Sequence, residues 1–330
     1  MKICICGGGS LGHICAGVFA TQFGVELNIL SGHPTLWRDE IVVEDPEGKV
    51  FKAKLHLVSS DPKEVAMGQD LILFCLPGYL IEKTLREIKP FIGTAVVGTV
   101  FSCTGFFPFA HEILGANAKL FGFQRVPFIA RVKEYGHSAN LLGYRSSLTV
   151  VLENIGDSEA FRAELERLFL TPVALLDSFY EVALSNSNPI LHTGRLYTMF
   201  RGREKEVFER NILFYKEWTD EASQLLIEMD AELFCLLDKL GVRSLPTLLD
   251  YYESTDATSL TRKLQSIPAF QTIWSPMKPV VGGWVVDFGS RYFTEDFPYG
   301  LRTIHDVAHA SRVPCPNIDR VYEWGMNAIK

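Results

Sequence analysis

The chain opens on four apolar residues, Ile3-Cys4-Ile5-Cys6, passes through three glycines, and resumes with apolar positions at Leu11, Ile14, Cys15, Val18 and Phe19. An unbroken apolar run reads as a buried strand, and a spacing of three and four reads as a helix. The stretch therefore predicts strand, tight turn and helix. Apolar runs recur at Val25 to Leu30, Leu71 to Cys75 and Ala95 to Val100, with a helical pattern from Tyr79 to Ile88 between the last two. Strands alternating with helices in this way specify a doubly wound parallel sheet whose ligand crevice lies at the C-terminal ends of the strands. From Ile41 to Leu57, two β-rich runs flank Glu44-Asp45-Pro46-Glu47-Gly48, which predicts an added hairpin.

From Lys119 the helical spacing fades, and the segments up to Leu152 alternate like extended strands, expected as antiparallel additions to the sheet. A helix over Asp157 to Phe169 and a short strand near Val173 to Leu176 follow. At Phe179 the pattern changes to longer helical periods. Helices are predicted over Phe179 to Met199, Trp218 to Leu240, Pro246 to Tyr252, Pro298 to Ala310 and Asn317 to Ile329, with a long Pro-, Gly- and Trp-rich loop over Ser266 to Gly289. The fold class is α/β: an N-terminal doubly wound Rossmann-type sheet, residues 1–178, which is a dinucleotide-binding domain, and a C-terminal mostly α-helical substrate and catalytic domain, residues 179–330. The site is expected in the crevice between them.

Composition narrows the partners. A net charge of −7 over 330 residues, with no clustered basic stripe, argues against a nucleic-acid surface. Seven scattered cysteines fit free thiols in a reducing compartment. No secretory leader and no uncharged apolar stretch near the ~20 residues of a membrane span is visible, so a cytoplasmic protein without membrane partners is expected. The long apolar helices of the second half could form a homodimer or close their own core.

The glycines carry the first piece of chemistry. Gly7-x-Gly9-x-x-Gly12 stands between strand and helix. There Gly7 permits the turn, Gly9 lets the backbone approach a pyrophosphate, Gly12 lets helix and strand pack closely, and the free N–H groups of the first turn, at Ser10, Leu11 and Gly12, face the phosphates. After the second strand an acidic residue would hold the ribose 2′-OH of NAD. None is present. Ser31 could donate to a 2′-phosphate and Arg38, with His33, could lie above the adenine end, which tilts the expectation towards NADP(H) over NAD(H). Pro77, Gly78 and the loop from Thr99 to Gly105 are expected to line the nicotinamide half.

In the second half, Ser185-Asn186-Ser187-Asn188-Pro189-Ile190-Leu191-His192 sets polar groups inside an apolar helical pattern, with Asn188 and His192 on one face. Such a conflict with local propensity marks a site, although a satisfied core histidine produces the same pattern. Near the other end, Arg291-Tyr292-Phe293-Thr294-Glu295-Asp296-Phe297-Pro298 places a guanidinium and two carboxylates in a loop before a helix, where Asp296 could equally be a helix cap. His305 and His309 share a helix face, but no third ligand is spaced near them, so no metal site is expected.

Taken together, CICGGGSLGH at the N-terminus, the NPxxH of Asn188 to His192, and RYFTEDFPYGL from Arg291 to Leu301 resemble the opine dehydrogenase family of octopine and nopaline dehydrogenases, over nearly the whole chain and in family order. The resemblance implies an NAD(P)-dependent oxidoreductase acting on CH–NH: an α-keto acid and an amino acid condense to an imine, which NAD(P)H reduces, and the reverse is oxidation. It places the general acid/base on His192, its carboxylate partner on Asp296 and the grip on the keto-acid carboxylate on Arg291. Asn188 and Arg131 are further substrate-binding candidates, and Arg195 is another cation within reach of the argument. Two segments depart from the family pattern. Val126-Pro127-Phe128-Ile129-Ala130-Arg131 has alanine where octopine-type members carry cysteine, and the Phe101 to Gly105 loop is one residue longer. The amino acid and keto acid are therefore left open. Two other readings share the same two-domain scheme: a reductase of a single hydroxy or keto acid, and a non-catalytic dinucleotide sensor.

Overall fold

Lys2–Cys6 (β1) is the strand from which the larger sheet grows in both directions. Its alternate residues serve opposite faces: Ile3 and Ile5 join one core, Cys4 and Cys6 the other, and all four are fully buried. A strand covered on both faces has no polar side to show, which is why the run is apolar throughout.

The computed structural model describes residues 1–330, in two compact units, 1–183 and 184–330. After β1 come α1 (Ser10–Ala20), β2 (Glu26–Leu30), β3 (Glu40–Glu44), β4 (Val50–Lys54), β5 (Leu57–Ser59), α2 (Pro62–Ala66), β6 (Leu71–Phe74), α3 (Gly78–Ile88), β7 (Val96–Thr99) and α4 (Phe106–Leu114). Then follow β8 (Leu120–Phe123), β9 (Phe128–Glu134), β10 (Ser138–Tyr144), β11 (Leu148–Glu153), α5 (Ser158–Phe169), β12 (Val173–Leu176) and α6 (Phe179–Ala183). The main sheet runs β12-β11-β8-β7-β6-β1-β2-β5. All its pairs are parallel except β8 with β11. The order reverses between β1 and β6, so the loops after these two strands sit at the switch point where such sheets bind ligands.

The strands beyond Lys119 do not all extend this sheet as antiparallel additions. β8 continues it in parallel and β11 is the antiparallel member, while β9 and β10 join β3 and β4 in a separate sheet of order β4-β3-β10-β9. The burial patterns give the reason. β3, β4 and β9 alternate buried and exposed positions and so have one face to bury, whereas β8 is buried at every residue. The second sheet lays its apolar face on α1.

In the second unit, the long helix expected over 179–199 is broken. α6 ends at Ala183, and α7 (Asn188–Phe200) starts anew with Pro189 in its first turn, where a missing N–H does no harm. The remaining helices are α8 (Asp220–Lys239), α9 (Leu248–Tyr251), α10 (Ala257–Ser266), α11 (Arg291–Thr294), α12 (Arg302–Ala310) and α13 (Pro316–Ile329). The expected loop 266–289 contains an antiparallel hairpin, β13 (Met277–Val280) with β14 (Gly283–Val286). Between α11 and α12, Asp296–Leu301 forms a single wide π turn, in which Gly300 N–H donates to Glu295 O at 3.3 Å. Pro298 supplies no N–H there, which leaves the normal ladder incomplete. No helix is long and apolar enough to cross a membrane.

Candidate active site

In the first unit the glycine turn is fixed by close approach. Gly7 has φ of +120°, and a Cβ on it would stand 2.6 Å from the Cys75 carbonyl oxygen, so the turns after β1 and β6 abut. A Cβ on Gly12 would stand 2.0 Å from Gly7 O. A Cβ on Gly9, in contrast, would meet nothing within 4 Å. That open space lies at the start of α1, whose N-terminus has no side-chain cap and no acidic residue in its first turn, Ser10, Leu11 and Gly12. Uncapped N–H groups beside a side-chain-free approach fit a pyrophosphate. Pro77 stands at the N-cap of α3, on the other side of the switch point, again without a side-chain cap.

The adenine end differs from expectation. Ser31 is 2% exposed, and its hydroxyl accepts from Trp37 Nε1 at 3.0 Å and from the His33 backbone N–H at 3.2 Å. Tyr135 Oη lies 3.2 Å from the same oxygen. These neighbours set aside Ser31 as a donor to a 2′-phosphate. Arg38 is exposed and forms an ion pair with Glu134. His13 is buried, with Nδ1 donating to Gly9 O at 3.0 Å and Nε2 accepting from Gly136 N–H at 2.7 Å. Burial lowers its pKa and keeps it neutral, as that pair of bonds requires. Arg131, on β9 of this unit, is exposed, and its guanidinium donates only to the adjacent Ala130 carbonyl at 3.1 Å.

In the second unit, α7 and the π turn bring His192 and Asp296 together across 104 residues of sequence. His192 Nδ1 lies 2.8 Å from Asp296 Oδ2, and the two side chains are 13% and 21% exposed. Asp296 is therefore not simply a cap on the following helix. The close approach has a sequence basis: a Cβ on Gly300 would stand 2.8 Å from Pro189 Cγ, so glycine in the turn lets it settle onto the first turn of α7. The other ring nitrogen, Nε2, is 2.9 Å from Tyr215 Oη. Burial, the largest cause, and the neighbouring Tyr292, Tyr252 and Asp296 all push the Tyr215 phenol pKa well above its ordinary value. The phenol stays protonated and donates to Nε2, while Nδ1–H is donated to Asp296. Phe214 and Tyr292 pack on the imidazole with ring centroids 5.8 and 4.7 Å away.

Arg195, one turn beyond His192 on α7, is buried and structural. It donates to the carbonyls of Phe214 at 3.3 Å and Glu217 at 2.6 Å, and it lies over the Trp218 ring. Burial lowers its pKa to about 10, with Glu217 and Glu221 opposing. It holds the turn that presents Tyr215 instead of offering a free cation. Arg291, which opens α11 beside Tyr292, is exposed, and no carboxylate of the chain takes its guanidinium. Asn188 is exposed at the start of α7, four residues before His192.

Residues 175–329 match the model of the NAD/NADP octopine/nopaline dehydrogenase alpha-helical domain. The chain is 25% identical to the octopine dehydrogenase of Mizuhopecten yessoensis over 100% of its own length and 90% of the relative's. It is 26% identical to the tauropine dehydrogenase of Arabella iricolor, over 98% and 90%. Over its whole length the chain is thus similar to opine dehydrogenases, and its second half matches the helical domain of that family. In fold it is similar to octopine dehydrogenase solved with NADH and L-arginine, with a TM-score of 0.86 at 24% identity over 100% of this chain and 89% of that one.

Tyr215 and Tyr292 are the neighbours of His192 that the sequence did not reveal. The available signal was the aromatic spacing of Phe214, Tyr215 and Trp218 in a short loop, together with Tyr292 next to Arg291. An aromatic triplet at that spacing reads first as core, and Tyr215 does stack on Trp218 and Phe270.

Proposed function

We propose that this chain is an NAD(P)-dependent opine-type dehydrogenase that joins an α-keto acid to the amino group of an amino acid, reduces the resulting imine to a secondary amine, and runs the reverse oxidation. The observation that carries the reading is one imidazole engaged at both nitrogens, Nδ1 to Asp296 and Nε2 to Tyr215. When bound, the dinucleotide supplies the hydride. The proton is the work of the chain itself. Asp296 accepts Nδ1–H and stabilises the imidazolium, so Nε2 is the nitrogen that gives or takes a proton. Condensation releases one water, and reduction of the C=N bond adds hydride at carbon and the His192 proton at nitrogen. Tyr215 stays beside Nε2 and keeps the ring oriented as the reacting substrate atom approaches.

Both substrates carry carboxylates. Arg291, with a free planar fork of donors, is our choice for the keto-acid carboxylate, with Arg131 and Asn188 assigned to the amino acid. With Ser31 buried, a preference for NADP(H) rests on Arg38 and His33, and Arg38 must exchange Glu134 for a 2′-phosphate. The test is product identification: incubation of the purified chain with NADH or NADPH, pyruvate and an amino-acid panel, followed by mass spectrometry. The expected product has the mass of both acids less one water plus two hydrogens. Finding only the reduced hydroxy acid would overturn the reading.

A further inference from the structure

The helical unit holds a second histidine–carboxylate cluster, remote in sequence from His192. His305 and His309 stand four apart on α12, and Asp319 stands in the first turn of α13. The Asp319 Oδ1 atom is 2.9 Å from His309 Nε2 and 3.7 Å from His305 Nε2, and the three candidate ligand atoms all lie within 4.8 Å of one another. The third ligand was invisible in the sequence because it comes from the next helix, ten residues past His309.

The surroundings aim these atoms. His305 Nδ1 is 2.7 Å from Asp306 Oδ1, and Asp306 in turn accepts from Arg302 Nε at 3.2 Å. Tyr322 packs on the His305 ring at 4.4 Å, and the buried Cys315 thiol donates to Asp319 Oδ1 at 3.2 Å. With Nδ1 turned to Asp306, Nε2 of His305 faces the Asp319 carboxylate oxygen beside Nε2 of His309. A carboxylate behind a histidine whose other nitrogen faces outward is the usual outer partner of a metal-bound imidazole.

We propose that His305, His309 and Asp319 form a binding site for a zinc-class divalent cation, with water as fourth ligand. Two imidazole nitrogens and one carboxylate oxygen suit Zn²⁺ and disfavour Ca²⁺ and Mg²⁺, which take all-oxygen sets. Ligand atoms about 2.0–2.2 Å from the ion are reached once the His309–Asp319 hydrogen bond opens slightly. The ion would staple α13 to α12 across the connecting turn at 311–315. α12 leads directly from the π turn that carries Asp296, so the staple steadies that turn as well.

The test is calorimetric titration of ZnCl₂ into the chelator-treated full chain without a polyhistidine tag, with melting curves in parallel. One equivalent of zinc per chain and a zinc-dependent rise in melting temperature are expected. His309→Gln and Asp319→Asn should each weaken binding at least tenfold, while His192→Ala keeps the full affinity. Folding of each variant is checked by its melt without metal. Overturning results are no saturable binding, unchanged binding in His309→Gln, loss of binding in His192→Ala, or a melting temperature that responds to pH but not to zinc, which would leave a proton-bridged cluster.

Discussion

Tyr215 donates its hydroxyl to His192 Nε2 at 2.9 Å, on the ring edge opposite the one that Asp296 holds. The imidazole is thus fixed by two partners from different segments, one accepting at Nδ1 and one donating at Nε2. Replacing Tyr215 by Phe keeps the stack on Trp218 and Phe270 and removes only the hydroxyl. At about 1 kcal/mol for a net hydrogen bond, kcat should fall roughly fivefold with KM little changed. Steady-state kinetics of Tyr215→Phe check this. Because burial pushes the phenol pKa so far up, the wild type should show no alkaline loss of rate attributable to Tyr215.

Asp296→Asn preserves shape but removes the charge that accepts Nδ1–H and stabilises the imidazolium. The amide can turn its NH₂ towards Nδ1 and select the wrong tautomer. Loss of positioned acid–base catalysis is worth about 10²- to 10⁴-fold, so kcat should drop within that range. The dinucleotide Kd should be unchanged, because the glycine turn is built from other residues. Fluorescence titration with NADH, run beside the kinetics, separates the two effects.

Arg291 is exposed and without a carboxylate partner in the chain, so its removal should leave folding intact. A charge-assisted bidentate bond is worth about 2–3 kcal/mol, so Arg291→Ala should raise the KM for the keto acid by roughly 30- to 150-fold. Arg291→Lys should recover only part of the loss, since a point charge lacks the planar fork. Comparing the KM values for keto acid and amino acid locates the effect.

Asp230 offers a pH test in the scaffold. It is buried on α8, where its Oδ2 accepts from Leu248 N–H at 2.9 Å. Burial, the largest cause, and Asp250 raise its pKa from 3.8 to about 6, against the Leu248 bond. The folded pKa lies above the unfolded one, so the protonated form is favoured in the folded state. This contribution to stability is full below about pH 4 and lost as pH rises through 6. At about 1.4 kcal/mol for each unit, ionised Asp230 weakens the fold by roughly 3 kcal/mol at neutral pH. Asp230→Asn, whose amide oxygen can still accept from Leu248, should stabilise the chain at pH 7 and not at pH 4. Urea denaturation at the two pH values checks the sign.

The strand–turn–helix opening could be read directly, because fully buried strands and a glycine turn leave a local pattern. His192 was legible as a candidate because polar residues interrupt an apolar helical pattern there, whereas Asp296, which suits a helix cap, was singled out by the family resemblance. What lay beyond reach depends on distant partners. Pro189 marked the break before α7, yet the apolar spacing on both sides ran on as one helix. The hairpin at Met277–Val286 was hidden among prolines and glycines that also suit a loop. Ser31 looked like a free hydroxyl until Trp37 and Tyr135 were seen to cover it. Tyr215 reaches His192 from a turn that buried Arg195 ties down through the carbonyls of Phe214 and Glu217.

The most direct measurement of the central claim is the initial rate of NAD(P)H oxidation with pyruvate alone, with the amino acid alone, and with both, in the wild type and in His192→Ala. The account predicts turnover only when both substrates are present, and its loss by at least a hundredfold in the variant. Full turnover with pyruvate alone, or an undiminished rate in His192→Ala, would contradict it.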